Sequence, residues 1–360
     1  MRKRLSETMR YVIRLVLAVF LNVTSSCLLL SCGPPPPEQT DTTFLAMGTT
    51  VSITVVGERT EASNQAINAA RAELQRIGRE WYAWAQDGEL VRLNASLAAG
   101  SQFTASSELA QLLVRSKQYS QLSDGTFDPA LGGLVRLWGF NSAENTARSL
   151  PTAKQIAAWT QSHPTMEHVQ IDGNVIRSDR RDVVIDLGAI GKGYAVDRAV
   201  ELLKQSNIAN AIVNAGGNLR CIGKQGTRAW RVAIRDPRAM RTLAWLDLSD
   251  ESVSTSGDYE RFATVNDTRI HHLLDSRSAQ PANHTMAVTV VALDAELADA
   301  ASTALFIAGP QRWREIARSM GIEQVLRVDA SGVIEVTKAL HSRLVVTGNE
   351  NRQIKWNVVE

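Results

Sequence analysis

The fold of this 360-residue chain is decided by residues 185–194, which read IDLGAIGKGY. The apolar residues 183–185 predict the end of a strand, the glycines that follow predict a tight turn, and residues 194–205 predict a helix. Residues 210–214 predict the next strand, which ends in a second glycine turn with the sequence AGGN. This stretch therefore predicts a strand–helix–strand unit with a glycine turn at the exit of each strand.

Further elements on both sides of this unit follow in a mixed order. Alternating or β-branched apolar residues predict strands at 49–56, 230–235, 286–293, 324–328 and 343–346. Apolar residues at helical spacing predict helices over 67–84, 109–122 and 296–307. Because strands and helices do not alternate regularly, the pattern favours an α+β fold over a doubly wound sheet.

The composition is that of a globular protein, with 44% hydrophobic and 21% charged residues, which argues against disordered, collagen-like and polytopic membrane proteins. The formal net charge is +2, of which residues 1–31 carry +4, so the rest of the chain carries −2. A body near neutrality has no positive field to hold phosphate backbones. We therefore expect no nucleic-acid partner.

Residues 1–31 have the features of a bacterial lipoprotein signal peptide. Five basic residues precede the short apolar run 15–21, and LLSC at 29–32 resembles a lipobox whose Cys32 would carry the lipid. The alternative is an uncleaved signal anchor, although the apolar run is too short to span a bilayer comfortably. Four prolines at 34–37 belong to a tether that we expect over residues 32–41, followed by a body of residues 42–360.

Several common catalytic motifs are absent from the sequence. The glycine turn has Asp186 where a phosphate-binding loop needs its first glycine, and Gly193 where that loop has a metal-binding Ser or Thr. The glycine spacing also differs from the dinucleotide-binding fingerprint. The chain has no HExxH, CxxC or GxSxG motif, so zinc enzymes and the common serine hydrolases are disfavoured.

Two groups of residues nevertheless suit a nucleotide site. The glycine turn can bind an anion, because its backbone amides open a helix and Lys192 adds a positive charge; the alternative is a plain turn with a solvated lysine. On the helix predicted at 296–307, Asp299 and Thr303 are four residues apart and share one face, and their oxygens suit Mg²⁺. The alternative there is a solvent-facing carboxylate beside a threonine bonded to its own backbone.

A set of short segments, taken in order, resembles the ApbE family of FAD:protein FMN transferases. The segments are AMGT at 46–49, WAQDGELVRLN at 84–94, GTFDP at 125–129 with LWGF at 137–140, IDLGAIGKGYAVD at 185–197, NAGGN at 214–218, SGDY at 256–259, HLLD at 272–275 and ADAASTA at 298–304. Each segment is weak alone, but the ordered set covers most of the body and is highly specific.

The resemblance implies an α+β fold of two closely packed α/β lobes with FAD bound between them. It implies contacts with the flavin nucleotide at Met47, Trp84, Thr126, Phe127, Asp128, Asp186, Lys192, His272 and Leu274. It implies Mg²⁺ ligands at Ala189, through the backbone carbonyl, and at the side chains of Asp299 and Thr303. Core packing is the alternative role for Met47 and Trp84, and a simple turn is the alternative for Asp128.

The activity that the resemblance implies is magnesium-dependent transfer of FMN from FAD to a Thr or Ser hydroxyl of a target flavoprotein, with release of AMP. His272 would accept the proton of the attacking hydroxyl, and Lys192 would stabilise negative charge on the phosphate. The implied acceptor is a subunit of a sodium-pumping NADH:quinone oxidoreductase or a related electron-transport complex. With a lipid on Cys32, the protein would be anchored to the inner membrane of a bacterial cell envelope and face the periplasm.

Two other functions fit the same residues. With water as the nucleophile, the site would be an FAD pyrophosphatase giving FMN and AMP. Without chemistry, the protein would be an FAD-binding lipoprotein, although Asp299 and Thr303 argue against this because affinity for FAD alone needs no metal. The sequence also departs from the family pattern after Asp275, where residues 276–279 read SRSA and Pro-x-Thr-Gly is usual.

Overall fold

The computed structural model describes residues 38–141, 150–265, 268–346 and 356–359. The predicted signal peptide, Cys32 and most of the predicted tether lie outside the described residues. Glu38–Glu360 form one compact unit. Within the described ranges, no helix is both long and apolar enough to cross a membrane.

A large, mostly antiparallel sheet is the centre of the fold. Its nine strands in the described ranges follow the spatial order β1 (Gln39–Ala46), β2 (Thr49–Val56), β6 (Ala211–Ala215), β7 (Asn218–Ile222), β10 (Ser252–Gly257), β15 (Thr285–Ala292), β16 (Gln324–Asp329), β17 (Ile334–Thr337) and β19 (Trp356–Val359). All neighbours pair antiparallel except β17 and β19, which are parallel. The pairing of β2 with β6 joins the N-terminal hairpin to the strand that follows the glycine turn and its helix.

Smaller sheets and hairpins surround this centre. Three short strands form one sheet, namely β3 (Phe103–Thr104), β4 (Val169–Asp172) and β5 (Val175–Ser178). A second sheet contains β8 (Trp230–Arg235), β9 (Thr242–Leu248) and β18 (Leu344–Val346). The segment around His272 is bounded by two hairpins, β11 (Phe262–Val265) with β12 (Thr268–His271) and β13 (Leu274–Asp275) with β14 (Gln280–Pro281).

The helices lie between these strands in the chain. They are α1 (Glu61–Glu80), α2 (Glu89–Ala99), α3 (Ser107–Leu122), α4 (Gly132–Leu137), α5 (Ala153–Ser162), α6 (Gly191–Gln205), α7 (Ala295–Ser319) and α8 (Lys338–His341). Helix α1 packs against α6, α6 packs against α7, and α7 packs on strands β10 and β15. The Thr60 side chain caps α1 by accepting from the backbone N–H of Ser63, which satisfies an amide that has no partner within the helix.

Both faces of the large sheet are buried, because alternate residues of its strands enter two different hydrophobic cores. Ile53, Val213 and Val290 enter the main core, which also contains the apolar faces of α1, α6 and α7. Ile212 and Val291 enter a second core with residues of β8 and β9. Helices therefore cover one face and a small sheet covers the other, and the predicted α+β fold is confirmed.

The first strand begins at Gln39, so the folded body starts before residue 42, where the sequence predicts it. Strand β1 lies at the edge of the large sheet, and of its eight residues only Phe44 is buried. Its exposed positions include the apolar Leu45 as well as polar residues, so the strand has no clear apolar alternation from which to predict it.

The prediction of a strand at 183–185 is wrong, because these residues form no regular strand. In this segment Val184 makes an isolated bridge with Leu131. The side chain of Asn94 bonds both backbone groups of Ile185: its Nδ2 donates to the carbonyl at 2.9 Å, and its Oδ1 accepts from the amide at 2.8 Å. A side-chain amide thus replaces the neighbouring strand, which apolar patterning cannot indicate.

Two predicted helices have different limits in the structure. The helix predicted over 67–84 is α1, which ends at Glu80, so Trp84 lies outside it. The helix predicted over 296–307 is the first part of α7, and the backbone breaks at Gly309 (φ 69°, ψ −173°) before the helix continues. Pro310, which follows this glycine, has no N–H to donate, so the regular helical hydrogen bonds are interrupted at the break.

Helices α6 and α7 approach so closely that Gly193 has no room for a side chain. A Cβ there would overlap the carbonyl oxygen of Ala295 and lie 2.8 Å from Cβ of Asp299. We expect Gly193→Ala to lower the free energy of unfolding by about 1–3 kcal/mol, because the helices must separate to admit the methyl group. Urea unfolding followed by circular dichroism measures this change.

The matched control is Gly191→Ala, two residues earlier on the same helix. A Cβ at Gly191 would meet Cβ of Leu187 at 3.7 Å, an ordinary van der Waals contact. We expect this variant to be as stable as the wild type or slightly more stable. Equal unfolding free energies for the two variants would contradict the steric argument.

Candidate functional site

The glycine turn and the first turns of α6 and α7 meet at one place. The backbone N–H of Gly193 donates to Oδ2 of Asp299 at 2.9 Å. In return, the carboxylate of Asp197 on α6 accepts from the N–H groups of Ala295 (3.0 Å) and Glu296 (2.8 Å), which open α7. Each helix therefore supplies a carboxylate to amides at the start of the other, where the helix dipole favours negative charge.

Asp299 is a buried carboxylate with spare hydrogen-bonding capacity. Its residue is 3% exposed, and among the described residues only Gly193 donates a hydrogen bond to its side chain. Burial raises the pKa of the Asp299 carboxyl, and the positive charge of Lys192 opposes part of this shift. A buried carboxylate with one amide partner is suited to binding a cation.

Thr303 lies one helical turn after Asp299 and takes part in a chain of hydroxyl groups. Its Oγ1 is 3.2 Å from Oγ of Ser256, which is 2.8 Å from Oγ of Ser302. Oγ of Ser302 is 3.1 Å from Oγ of Ser254, which donates to the side-chain carbonyl of Asn218. Oγ of Ser302 also donates to the backbone carbonyl of Asp299 at 3.0 Å. Because that carbonyl can only accept, the chain can be ordered with Thr303 donating to Ser256 and Ser256 to Ser302, which leaves the Thr303 lone pairs available to a cation.

The predicted magnesium ligands are all oxygens, which a hard cation prefers. Two of them, on Asp299 and Thr303, lie one turn apart on the same face of α7. The described part of the chain has no group of three or more His, Cys, Asp or Glu side chains that could hold a metal. The predicted set would not form such a group, because Asp299 is its one carboxylate and Thr303 and Ala189 supply a hydroxyl and a carbonyl. Ala189 lies in the glycine turn, partly buried against the main core.

Asp186 and Trp84, which are 102 positions apart in sequence, are joined by a hydrogen bond. The indole Nε1 of Trp84 donates to Oδ2 of Asp186 at 2.8 Å, and Oδ1 accepts from the backbone N–H of Gly188 at 2.7 Å. Helical spacing predicts that Trp84 belongs to the apolar face of α1, and this prediction is wrong. The two residues form a partly buried polar pair at the entrance to the glycine turn.

Met47 also lies against this turn. It occupies the two-residue connection between β1 and β2 with a left-handed backbone (φ 54°), followed by Gly48 (φ 71°). A Cβ on Gly78 of α1 would be 3.0 Å from Cγ of Met47, and a Cβ on Gly191 would be 4.0 Å from its Cε. The methionine thus fills the space between α1 and the start of α6.

Lys192 and His272 are the two predicted catalytic residues, and the charge of the lysine acts on the histidine. Nζ of Lys192 donates to the carbonyl of Gly188 at 3.2 Å. Burial, followed by the positive charge of Lys192, lowers the pKa of His272 to about 3. Nδ1 of His272 is 3.0 Å from the carbonyl oxygen of Arg261. Because that oxygen only accepts, Nδ1 carries the proton and Nε2 has a free lone pair, as a proton acceptor requires.

Four of the predicted nucleotide-binding side chains are buried in this structure. Thr126, Phe127, Asp128 and Leu274 are all at most 3% exposed. The Thr126 hydroxyl donates to a backbone carbonyl at 2.8 Å. The Asp128 carboxylate accepts from one hydroxyl and two backbone amides, and Leu274 packs in a small hydrophobic core. The polar side chains of Thr126 and Asp128 therefore already have hydrogen-bond partners within the protein.

The loop after Asp275 has its own stabilising contacts. The Asp275 carboxylate accepts from the backbone N–H, Nε and Nη2 of Arg277. Trp138 Nε1 donates to the carbonyl of Ala279 at 3.0 Å, and Trp159 Nε1 donates to that of Ser276 at 2.8 Å. Ala279 has φ 57°, a left-handed conformation that glycine adopts with less strain, so these contacts stabilise an unfavourable backbone.

Sequence reasoning assigned no role to Arg261, Ser256 or Ser302. The backbone of Arg261 accepts from both the N–H and Nδ1 of His272, so this residue fixes the ring's tautomer. The two serines connect Thr303 to the strand β10. Ser256 belongs to the SGDY segment, but its role depends on a contact between a strand and a helix, and no spacing rule indicates that contact.

Comparison with known proteins gives a consistent result. The sequence profile of the ApbE family matches residues 47–326. A Rhodobacter capsulatus protein named FAD:protein FMN transferase is 37% identical over 311 residues, covering 86% of this chain and 59% of the relative. One of the same name from Klebsiella pneumoniae is 30% identical over 342 residues, covering 91% of this chain and 97% of the relative.

Solved structures show the same similarity. The crystal structure of an ApbE protein from Thermotoga maritima has a TM-score of 0.79 at 30% identity, and the match covers 85% of this chain and 99% of that one. The apo form of the flavinyl transferase ApbE from Pseudomonas stutzeri has a TM-score of 0.75 at 29% identity, with coverages of 87% and 98%. The similarity thus extends over nearly the whole described body.

The low pKa of His272 can be tested directly by titration. In the ligand-free protein we expect the ring to stay neutral from pH 7 down to about pH 4, since its pKa is lowered to about 3. ADP, which has the same diphosphate as FAD, adds negative charge near Lys192, so it should raise the midpoint. Nitrogen-15 NMR of labelled histidines measures both midpoints, and His272→Gln assigns the signal.

The result that would contradict this assignment is also clear. A titration midpoint of His272 near 6.5 without ligand would show that the ring is solvated and that the charge of Lys192 does not lower its pKa. A midpoint unchanged by ADP would show that the diphosphate binds elsewhere.

Proposed function

Because this chain belongs to the ApbE family, we propose that it is an FAD:protein FMN transferase. In this reaction it transfers the FMN part of FAD to a threonine or serine hydroxyl of an acceptor flavoprotein and releases AMP. The names of the relatives support the transferase class, and the chemistry of the site supports the finer statement.

The observation that carries the proposal is the position of Lys192. Its charge acts on the buried carboxylate of Asp299 and on the imidazole of His272. Asp299 is the candidate metal ligand and His272 the candidate base, so one lysine influences both. We propose that the pyrophosphate of FAD binds at the glycine turn, where backbone amides would donate hydrogen bonds to it and Lys192 would neutralise part of its negative charge. Asp186 and Trp84 would then contact the nucleotide at the entrance.

The proposed reaction is one displacement at phosphorus. The oxygen of the acceptor hydroxyl forms a bond to the FMN-side phosphorus, the bond from that phosphorus to the bridging oxygen breaks, and AMP leaves with the bridging oxygen. The hydroxyl proton passes to Nε2 of His272. Lys192 neutralises charge on the phosphate oxygens, and the site contributes mainly by positioning the two reactants.

We propose that Asp299, Thr303 and the carbonyl of Ala189 hold Mg²⁺. The support is the buried Asp299 carboxylate with one hydrogen-bond donor and the ordered hydroxyl chain behind Thr303. When bound, this ion neutralises part of the negative charge of the pyrophosphate. Because these three residues supply three oxygens, they leave room in an octahedral shell for substrate oxygens and water.

The metal assignment is tested by removing one ligand atom at a time. Asp299→Asn keeps the shape and can still accept from Gly193, but it removes the charge, so we expect loss of magnesium-dependent AMP release. Thr303→Val should weaken magnesium binding in the same direction but less. Ser256→Ala should have a smaller effect still, since it removes only the partner that orients the Thr303 hydroxyl. Calorimetric titration of Mg²⁺ into the ADP-bound protein gives a readout that is independent of turnover.

The matched control for Thr303→Val is Thr289→Val. Thr289 is 1% exposed, and its hydroxyl bonds that of Thr255 within the sheet, outside the proposed site. We expect its magnesium midpoint to equal that of the wild type. If Asp299→Asn also has the wild-type midpoint and turnover, the metal assignment is wrong.

Mass spectrometry separates the transferase from the pyrophosphatase. The protein is incubated with FAD, Mg²⁺ and the flavoprotein subunit of a sodium-pumping NADH:quinone oxidoreductase, which we propose as the acceptor class. A transferase adds the mass of an FMN group to one Thr or Ser, and AMP and adduct form in equal amounts. AMP formation with free FMN and no adduct would favour the hydrolase.

We also propose that the protein is a lipoprotein of a bacterial cell envelope, attached to the inner membrane and facing the periplasm. The support is the LLSC segment at 29–32 with its basic and apolar preceding residues. We expect a labelled fatty acid to be incorporated into the wild type and not into Cys32→Ser, while Cys27→Ser keeps the label. Label retained by Cys32→Ser would place the lipid elsewhere or rule out lipidation by this signal.

A further inference from the structure

We propose that the protein has a second anion-binding site, in a cavity of about 250 Å³ that binds a carboxylate or phosphate group. The cavity is lined chiefly by Arg238, Asp258, Arg269, His271, Asn283 and Thr285. None of these residues belongs to the proposed FAD or magnesium site. The floor is buried, at His271, Asp258 and Thr285, and the rim is exposed, at Arg238, Arg269 and Asn283.

His271 provides an unused hydrogen-bond donor in this cavity. The residue is 3% exposed, and its Nδ1 accepts from the backbone N–H of Leu273 at 3.2 Å. The proton of the neutral ring is therefore on Nε2. Within the described part of the chain, Nε2 has no partner at regular hydrogen-bond geometry. Burial, the larger effect, lowers the pKa of the ring, and the Asn283 side chain is a hydrogen-bonding neighbour that raises it. Because a buried N–H without an acceptor is costly, this atom favours a ligand that supplies one.

The rim adds positive charge and further donors. Arg238 bonds both carboxylate oxygens of Asp258, at 2.7 and 2.5 Å, so the acidic group of the floor is neutralised. Arg269 lies over the Phe262 ring at 3.9 Å and donates to the backbone carbonyl of Asp258 at 3.0 Å. Its charge therefore has no carboxylate partner among these contacts, and the lining has a net positive charge. Donors exceed free acceptors, which suits an oxygen anion.

The cavity is next to the proposed catalytic base in the chain. His271 ends β12 and lines the cavity. The next residue is His272, whose pKa is lowered by burial and by the positive charge of Lys192. An anion in the cavity would thus contact the residue that precedes the base. This connection to catalysis rests on the proposed function, whereas the anion site itself does not.

NMR of histidine rings in the full-length chain can distinguish the two sites. Inorganic phosphate is titrated into protein labelled with ¹⁵N-histidine, and the signals of His271 and His272 are followed separately. We expect the His271 signal to shift along a saturable curve with its own midpoint. Acetate in a second titration distinguishes the ligand sources: a lower midpoint for acetate indicates a carboxylate site, and a lower one for phosphate indicates a phosphate site.

Two variants test whether the rim supplies the binding. Arg269→Gln removes a charge that pairs with no carboxylate among the described residues. It should raise the His271 midpoint about tenfold or more, while the His272 midpoint is unchanged. Arg238→Gln leaves the Asp258 carboxylate unneutralised and should raise the His271 midpoint as well. The matched control is Arg177→Gln, an exposed strand arginine that bonds the neutral Gln170 and is not part of the cavity.

Three results would overturn the proposal. One is a shift of the His271 signal that chloride reproduces at the same ionic strength. Another is a common midpoint for His271 and His272 in the wild type and every variant, because a single site at the glycine turn would then explain both shifts. The last is an absence of any His271 shift with phosphate or acetate. Each result can occur whether or not the protein transfers FMN, so the two proposals fail separately.

Discussion

The contact between Gly193 and the start of α7 is the constraint on which the rest of the site depends. Only a residue without a side chain lets the Ala295 backbone come so near, and this closeness lets the Gly193 amide reach the Asp299 carboxylate. The Asp197 carboxylate, one turn further along α6, also bonds the start of α7. The side chains of Asp299 and Thr303 and the start of the helix that follows the glycine turn are therefore positioned by one closely packed helix pair.

Lys192 gives this helix pair its electrostatic character. In the ligand-free protein its charge favours the ionised form of Asp299 and the neutral form of His272. Both are the protonation states that the proposed reaction needs, because a cation binds a carboxylate and a base needs a free lone pair. One lysine thus acts on two groups of opposite function: its charge opposes the effect of burial at Asp299 and adds to that effect at His272.

The sequence predicts the fold class and most strands of the large sheet, because alternation and β-branched residues are local signals. It also predicts that Asp186, Lys192, Asp299 and Thr303 belong together, since ordered motifs carry that information. It does not predict that Trp84 leaves its helix to bond Asp186, or that Asn94 replaces a strand beside Ile185. Such contacts join residues about a hundred positions apart, so no window of the sequence contains them.

The hydroxyl chain has a consequence for the uniqueness of the fold. The first three turns of α7 are rich in buried alanine, and small side chains determine the rotation of a helix about its axis less strongly than large ones do. The hydroxyl bonds of Ser302 and Thr303 to β10 favour one rotation, because any other would leave buried hydroxyls without partners. A variant with alanine at these positions could be equally stable and yet lack a single orientation of the helix. Polar atoms in this core therefore help to determine the orientation of α7 against β10.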